Sequence, residues 1–202
     1  MSELISILMP SKNEGKYIEK AIKSILKQTY QNYELIIIDD SKDDTEKVIK
    51  SINSDKIIYR KVENSNISKS LNLALKLARG DIIARMDADD ISHPDRLKIQ
   101  YEYLMNHSDV HLVGSNFYFI NDKGKLISKK KLPEYHEIIE YWMPILSTLL
   151  HATMMTYKEV LKSINGYTAD IDRAEDMDLF LEPVKITDNA RLISTIIYYP
   201  LR

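Results

Sequence analysis

The 202-residue sequence has no cysteine. Disulfide frameworks, thiolate nucleophiles and Cys-based zinc sites are therefore excluded. Glycine and proline are scarce, at five and six residues. Long linkers and disordered tracts are not expected at that content. No G-x-G-x-x-G occurs, which removes the dinucleotide-binding fingerprint. A surplus of one charge is missing too, since 28 Lys and Arg face 30 Asp and Glu, a formal net charge of −2. Nothing in that balance points to nucleic acid as a partner. There is no run of 18 apolar residues, and the stretch Trp142 to Met155 is broken by Pro144, Ser147, Thr148 and His151. The short apolar run Leu4 to Met9 has no basic leader and is too brief for a signal h-region or a membrane span. The expectation is a cytoplasmic protein of one domain, without a transmembrane segment. Peripheral contact with the inner face of a membrane stays compatible with it.

What is present is alternation. Ile- and Val-rich runs read as buried strands, and longer stretches of 3.6-residue periodicity read as helices. Strands are expected at Leu4–Met9, Tyr33–Asp39, Lys56–Val62 and Asp81–Met86. The stripe Ile18, Ala21, Ile22, Ile25 and Leu26 predicts one helix between them. Ser41–Asp44 caps a second that runs to Ile52. Leu71, Ala74, Leu75 and Ala78 mark a third, with Gly80 where it stops. Pro94 and Asp95 open a fourth. The series predicts an α/β fold, a Rossmann-like and mostly parallel sheet with helices on both faces. Beyond residue 110 the pattern loosens. A strand at His111–Ile120, a turn at residues 121–124 and short helices at Glu137–Met143 and Tyr157–Ile164 are expected. A helix at Asp176–Lys185 and a last strand at Leu192–Tyr199 complete the reading. Lys129–Lys131 reads as a solvated strand end and Trp142 as core or rim.

Ligands of open α/β sheets bind beyond the C-terminal strand ends. The first strand ends in Pro10-Ser11-Lys12-Asn13-Glu14, the second in Asp39-Asp40-Ser41 and the fourth in Asp87-Ala88-Asp89-Asp90. In an extended segment Asp87 and Asp89 would share a side. Two carboxylates about 5 Å apart repel by roughly 3 kcal/mol at an effective dielectric of 20. A hard cation such as Mg²⁺ or Mn²⁺ removes that penalty. The plainer alternative is a solvated Asp-rich turn. Asp39 and Asp40 equally suit a helix cap or a carboxylate for the donors of a base or ribose.

These segments together resemble family 2 glycosyltransferases of the A-type glycosyltransferase fold. The resemblance rests on ISILMPSKNEGKYIEKAIKSILKQTYQNYELIIIDD, ARGDIIARMDADDISHPDRL and HATMMTYKEVLKSINGYTADIDRAEDMDLFL, in family order and spacing. It implies one catalytic domain over 1–202, with a nucleotide-sugar donor half at 1–110 and an acceptor half at 111–202 that ends early. It also implies metal-dependent, inverting transfer of one sugar from a nucleoside-diphosphate sugar to a hydroxyl of a glycan, glycolipid or other acceptor, as in surface polysaccharide synthesis. Pro10, Ser11 and Glu14 would line the nucleotide pocket. Asp40 would meet the base, Asp87 the ribose or donor sugar, and Asp89 a divalent Mn²⁺ or Mg²⁺. Asp176 matches the general base, and a carboxylate within reach of the acceptor hydroxyl suits that task. Glu175, Asp176 and Asp178 equally suit a helix N-terminus through its dipole. His151, Glu175 and Asp178 are further candidates for acceptor or diphosphate contacts, and His151 alone equally suits core or rim packing.

Departures from the family pattern are few. Lys12 stands where an aromatic side chain often stacks on the base. Asn165 replaces the first Gly of a Gly-Gly-Tyr turn, and Glu182 stands where Arg is common. Two other classes remain: a nucleotidyltransferase, disfavoured by the lack of a Gly-rich triphosphate loop, and a non-catalytic nucleotide-sugar-binding or scaffold domain, disfavoured by the intact acidic set.

Overall fold

A computed structural model describes residues 3–121, 123–134, 136–142, 149–168 and 190–200. In chain order the elements are β1 (Ile5–Ser11), α1 (Ile18–Leu26), β2 (Tyr33–Asp39), α2 (Thr45–Ser51), β3 (Ile57–Lys61), α3 (Ile67–Leu77), β4 (Ile82–Arg85) and β5 (Ile91–Ser92). They continue with α4 (Arg96–Asn106), β6 (Leu112–Ile120), β7 (Leu126–Lys130), α5 (His136–Trp142), β8 (Met155–Tyr157), α6 (Lys158–Ser163) and β9 (Ala190–Pro200). A 3-10 turn covers His151–Thr153. The strands join in one sheet in the order β3-β2-β1-β4-β8-β6-β9-β5, with β7 also beside β6.

The first four strands pair in parallel, as their apolar runs predict. Beyond β4 the sheet is mixed: β6 and β9 are parallel, while β4–β8, β6–β8, β6–β7 and β5–β9 are antiparallel. Alternation along the strands sends side chains to opposite faces. Ile7, Met9, Leu35 and Ile37 pack on one face with Ile18, Ile22 and Ile25 of α1, Ile49 of α2 and Leu97 of α4. Leu8, Ile36 and Ile38 pack on the other with Leu71, Ala74 and Leu75 of α3, Ile139 of α5 and Leu161 of α6. Both faces are thus covered by helices, and the strand ends are the open rim.

Some details differ from the sequence reading. α3 ends at Leu77, and Ala78 is already extended. Gly80 is therefore no helix cap. Its N–H donates to Ser6 Oγ at 2.9 Å, and a Cβ there would press into the Leu4 carbonyl. Glycine is needed at this point for close approach of two backbones. β5, β8 and the start of β7 were not read from the sequence. Two of them span only two or three residues, and every side chain of β7 is exposed, so no apolar run announces it. Of the two readings of Trp142 the core is excluded, since it and its neighbour Tyr141 are exposed. The helix expected at Asp176–Lys185 lies outside the described residues.

Candidate active site

β2 and β3 lie on one side of β1 and β4 on the other, so the strand order reverses between β1 and β4. Such reversals open a crevice at the C-terminal strand ends. A cavity of about 520 Å³ lies there, within the range of small-molecule sites. Pro10, Ser11, Lys12 and Glu14 form one wall, Asp40 stands at the end of β2, and Asp87 to Asp89 follow β4. Ser65, Asn66, Ile67 and Ser70 from the start of α3, with Phe119 from β6, close it.

Local sequence explains the crevice. Leu8 O accepts from Met86 N at 3.1 Å, and the β1–β4 pairing ends at Leu8 and Arg85. Pro10, two residues on, faces the same side past the end of β4. Its missing N–H therefore takes no bond from the ladder. Asn13 adopts a left-handed conformation, φ 59°, which Asn tolerates better than most residues. It ties the first loop to the second: its N–H donates to Ser41 Oγ at 2.7 Å, and its Oδ1 accepts from Lys42 N at 2.8 Å.

The adjacent carboxylates of β2 part company. Asp39 is fully buried, and both its oxygens serve the fold. Oδ1 accepts from Ser41 N at 3.1 Å, and Oδ2 accepts from Tyr59 Oη at 3.0 Å and Lys61 Nζ at 2.9 Å. Asp40 faces the cavity instead. Its N–H donates to Ser11 O at 2.9 Å, and its Oδ2 accepts from Lys12 Nζ at 2.8 Å.

The end of β4 divides in the same way. Residues 87–90 form a turn, closed by Asp90 N donating to Asp87 O at 3.4 Å, rather than the extended segment expected. Asp87 and Asp89 still reach the cavity. Asp90 turns inward, is 1% exposed, and among the described residues neither of its carboxylate oxygens has a hydrogen-bond partner. Burial, then the charges of Asp87 and Asp89, push its carboxyl well above the ordinary range, against the pull of Arg85 and Arg96. Asp87 Oδ1 pairs with the buried Arg85 Nη2 at 2.6 Å. Behind it Arg96, fully buried, donates from Nη2 to Arg85 O at 2.7 Å and from Nε to Gln100 Oε1 at 2.9 Å. Burial lowers the Arg96 guanidinium to about 9.

Among the described residues no three His, Asp or Glu side chains converge as a complete metal cage. Asp89, with Asp87 beside it, offers one or two hard oxygen ligands. That fits an ion whose remaining ligands come from bound phosphate and water, the usual habit of Mg²⁺.

The family model described as "Glycosyl transferase family 2" matches residues 6–164, which include every residue of this cavity. This chain belongs to glycosyltransferase family 2. It is similar to the O-antigen biosynthesis glycosyltransferase WbnJ of Escherichia coli, 34% identical over 193 residues, covering 94% of this chain and 75% of that one. A glycosyltransferase of Methanocaldococcus jannaschii is also 34% identical, over 88% of this chain and 63% of its own. Among solved structures, S. aureus TarS in complex with UDP-GlcNAc superposes with a TM-score of 0.80 at 22% identity, over 99% of this chain and 59% of that one. The mannosyltransferase PcManGT from Pyrobaculum calidifontis, in complex with GDP-Man and Mn²⁺, gives 0.72 at 19%, over 97% and 56%. The glycosyltransferase described here thus spans about 60% of the second relative and of both solved chains. Its fold is that of A-type glycosyltransferases.

Of the residues singled out in the sequence, Pro10, Ser11, Glu14, Asp40, Asp87 and Asp89 line this one cavity. His151 does not. It is buried in the 3-10 turn, with Nε2 3.1 Å from Tyr167 Oη. Burial first, and then the Arg85 charge, hold its imidazole well below the ordinary value, so it is neutral. Its packing, beside a turn clamped by Asn72, is that of a core residue. Asn72 accepts from Tyr167 N at 2.9 Å and donates to Tyr167 O at 2.7 Å. Asn165 and Gly166 in that turn have φ of 61° and 74°, so Asn fills a position where Gly is common. Glu175, Asp176, Asp178 and Glu182 lie outside the described residues. Sequence reasoning missed the wall made by α3. Its signal was Asn66, whose Oδ1 caps the helix by accepting from Lys69 N at 2.8 Å. Phe119 arrives from a distant strand and had no local signal.

Proposed function

We propose that this glycosyltransferase moves one sugar from a nucleoside-diphosphate sugar to the hydroxyl of a glycan or glycolipid acceptor, with inversion at the anomeric carbon. The observation that carries the reading is the convergence of Asp40, Asp87 and Asp89, from two strand ends, on one cavity of about 520 Å³. Residues 1–110 serve as the donor half and 111–202 as the acceptor half of one catalytic domain. Pro10, Ser11 and Glu14 line the nucleotide, Asp40 takes the base, and Asp87 takes the ribose or the sugar. Asp89 holds a divalent cation, Mn²⁺ or Mg²⁺. Bound there, the ion supplies positive charge to the departing diphosphate. Asp176, placed by its motif alone, takes the proton of the acceptor hydroxyl. The acceptor oxygen then bonds the anomeric carbon as the bond to the diphosphate oxygen breaks. The role of WbnJ in O-antigen biosynthesis and the UDP-GlcNAc bound by TarS support a polysaccharide setting and a nucleotide-sugar donor. The Mn²⁺ in the mannosyltransferase structure supports the ion. No described helix is long and apolar enough to cross a membrane. Action in the cytoplasm, at the inner face of the membrane, fits this reading.

A thermal-shift screen of UDP-, GDP- and dTDP-sugars with and without Mn²⁺ tests it, because a ligand that binds the folded state raises its stability by mass action. We expect a Mn²⁺-dependent rise with at least one donor. No rise with any donor would overturn the reading and favour a non-catalytic scaffold domain. Asp176→Ala is expected to abolish transfer and to keep the donor-dependent shift.

A further inference from the structure

We propose that Lys12, paired with Asp40, selects a donor whose base is an imide pyrimidine, uracil or thymine, over guanine. This inference rests on the nucleotide-sugar reading of the cavity.

The argument is one of donor and acceptor counting. Asp40 lies in the cavity wall, with a side chain 9% exposed, while that of Lys12 is 62% exposed and reaches over it from the first loop. Lys12 Nζ holds Asp40 Oδ2 at 2.8 Å and touches Ser65 O at 3.4 Å. Asp40 Oδ1 accepts no hydrogen bond among the described residues. A bare carboxylate presents two adjacent acceptors. That pattern matches guanine, whose N1–H and 2-amino group are two adjacent donors. With Oδ2 occupied by the ammonium, the wall presents one acceptor beside one donor. Uracil and thymine match that pattern with N3–H and the neighbouring carbonyl. They have a carbonyl on each side of the N–H, so either orientation serves, whereas guanine offers this pair in one orientation alone, through N1–H and O6, and loses the second acceptor for its 2-amino group. Without Lys12, the same carbonyl would face the bare Oδ2, acceptor against acceptor. The exposed ammonium thus reads the base by covering half of the carboxylate.

Dissociation constants of UDP, dTDP and GDP, measured by calorimetry with Mn²⁺ on the wild type and on Lys12→Met and Lys12→Arg, test this. The wild type is expected to bind UDP or dTDP at least about tenfold more tightly than GDP, the size of one hydrogen bond to a charged group. Lys12→Met is expected to weaken UDP about tenfold relative to GDP, and Lys12→Arg to restore most of that ratio. The unliganded melting temperature of Lys12→Met should match the wild type, because the side chain is exposed. Tighter GDP binding by the wild type would overturn the inference. So would an unchanged UDP-to-GDP ratio in Lys12→Met, while the nucleotide-sugar reading stood. Binding of no nucleotide at all would overturn both.

Discussion

The ends of β2 and β4 solve one problem in two ways. The β2 end carries two carboxylates and the β4 end three; each turns one into the fold and leaves the rest at the cavity. At β2 the buried member, Asp39, has a donor for each oxygen, from Ser41 N, Tyr59 Oη and Lys61 Nζ. At β4 the buried member, Asp90, has none among the described residues, and it meets the fields of Arg85 and Arg96 against the repulsion of Asp87 and Asp89. A buried carboxylate with complete hydrogen bonds stiffens a structure, and a buried carboxyl without them is pushed toward its neutral form by the charges around it. The β2 end is therefore finished without a ligand. The β4 end holds repulsion that a cation at its rim would relieve.

The sharpest break of this comparison is at the rim of β4. Asp89→Ala is expected to slow sugar transfer at least about a thousandfold, near 4 kcal/mol of transition-state stabilisation, with little change in folding. Release of nucleoside diphosphate from the donor measures it, and undiminished turnover would remove Asp89 from the chemistry. Next comes the interior of the β2 end. Asp39→Ala strips three donors of their acceptor and is expected to cost about 3 kcal/mol in urea unfolding. A change below about 0.5 kcal/mol would mean that the buried network does not anchor the strand.

Saturating UDP with Mn²⁺, at a hundred times its dissociation constant, should add about 2.7 kcal/mol to stability. Asp39→Ala should keep that increment and Asp89→Ala should lose the Mn²⁺-dependent part. An equal increment in both variants would erase the distinction between the two ends. The smallest effect concerns His151, which sits behind the β4 rim and feels Arg85. Its folded value lies well below the ordinary 6.5. The unfolded chain therefore takes up a proton that the folded chain refuses as pH falls through 6.5. Stability is full above that pH and declines below it, with a slope of at most about 1.4 kcal/mol per pH unit. His151→Gln should flatten that decline in unfolding measured from pH 7.5 to 5.5. An unaltered slope would assign it to other groups.

The parallel half was legible because its strands are continuous Ile-rich runs and its helices have clean apolar stripes. Tyr33–Asp39 is strand from end to end, and Ile18, Ala21, Ile22 and Ile25 are all buried. The rim residues were legible because a parallel sheet sends its ligand side to the C-terminal strand ends. Composition and spacing did not divide Asp39 from Asp40, or Asp90 from Asp89; only the family resemblance singled out Asp40 and Asp89. That division depends on Tyr59 and Lys61, which bond Asp39 from β3, and on the packing that buries Asp90. His151 went the same way, since Tyr167 and the Asn72 clamp that bury its surroundings lie far along the chain. β7 was read only at its lysine end, because a short edge strand with every side chain exposed leaves no alternation of buried and exposed positions.

That edge has a consequence for how molecules of this protein meet. All five side chains of β7 are exposed, and among the described residues the strand pairs with β6 alone. A strand paired on one side carries a row of unsatisfied backbone groups that a strand from another molecule can extend. Lys129 and Lys130 stand at its end, and edge-to-edge addition of a second copy crowds like charges together. Replacing these two lysines with threonine is therefore expected to leave Leu126 and Ile127 on an open, uncharged template for aggregation.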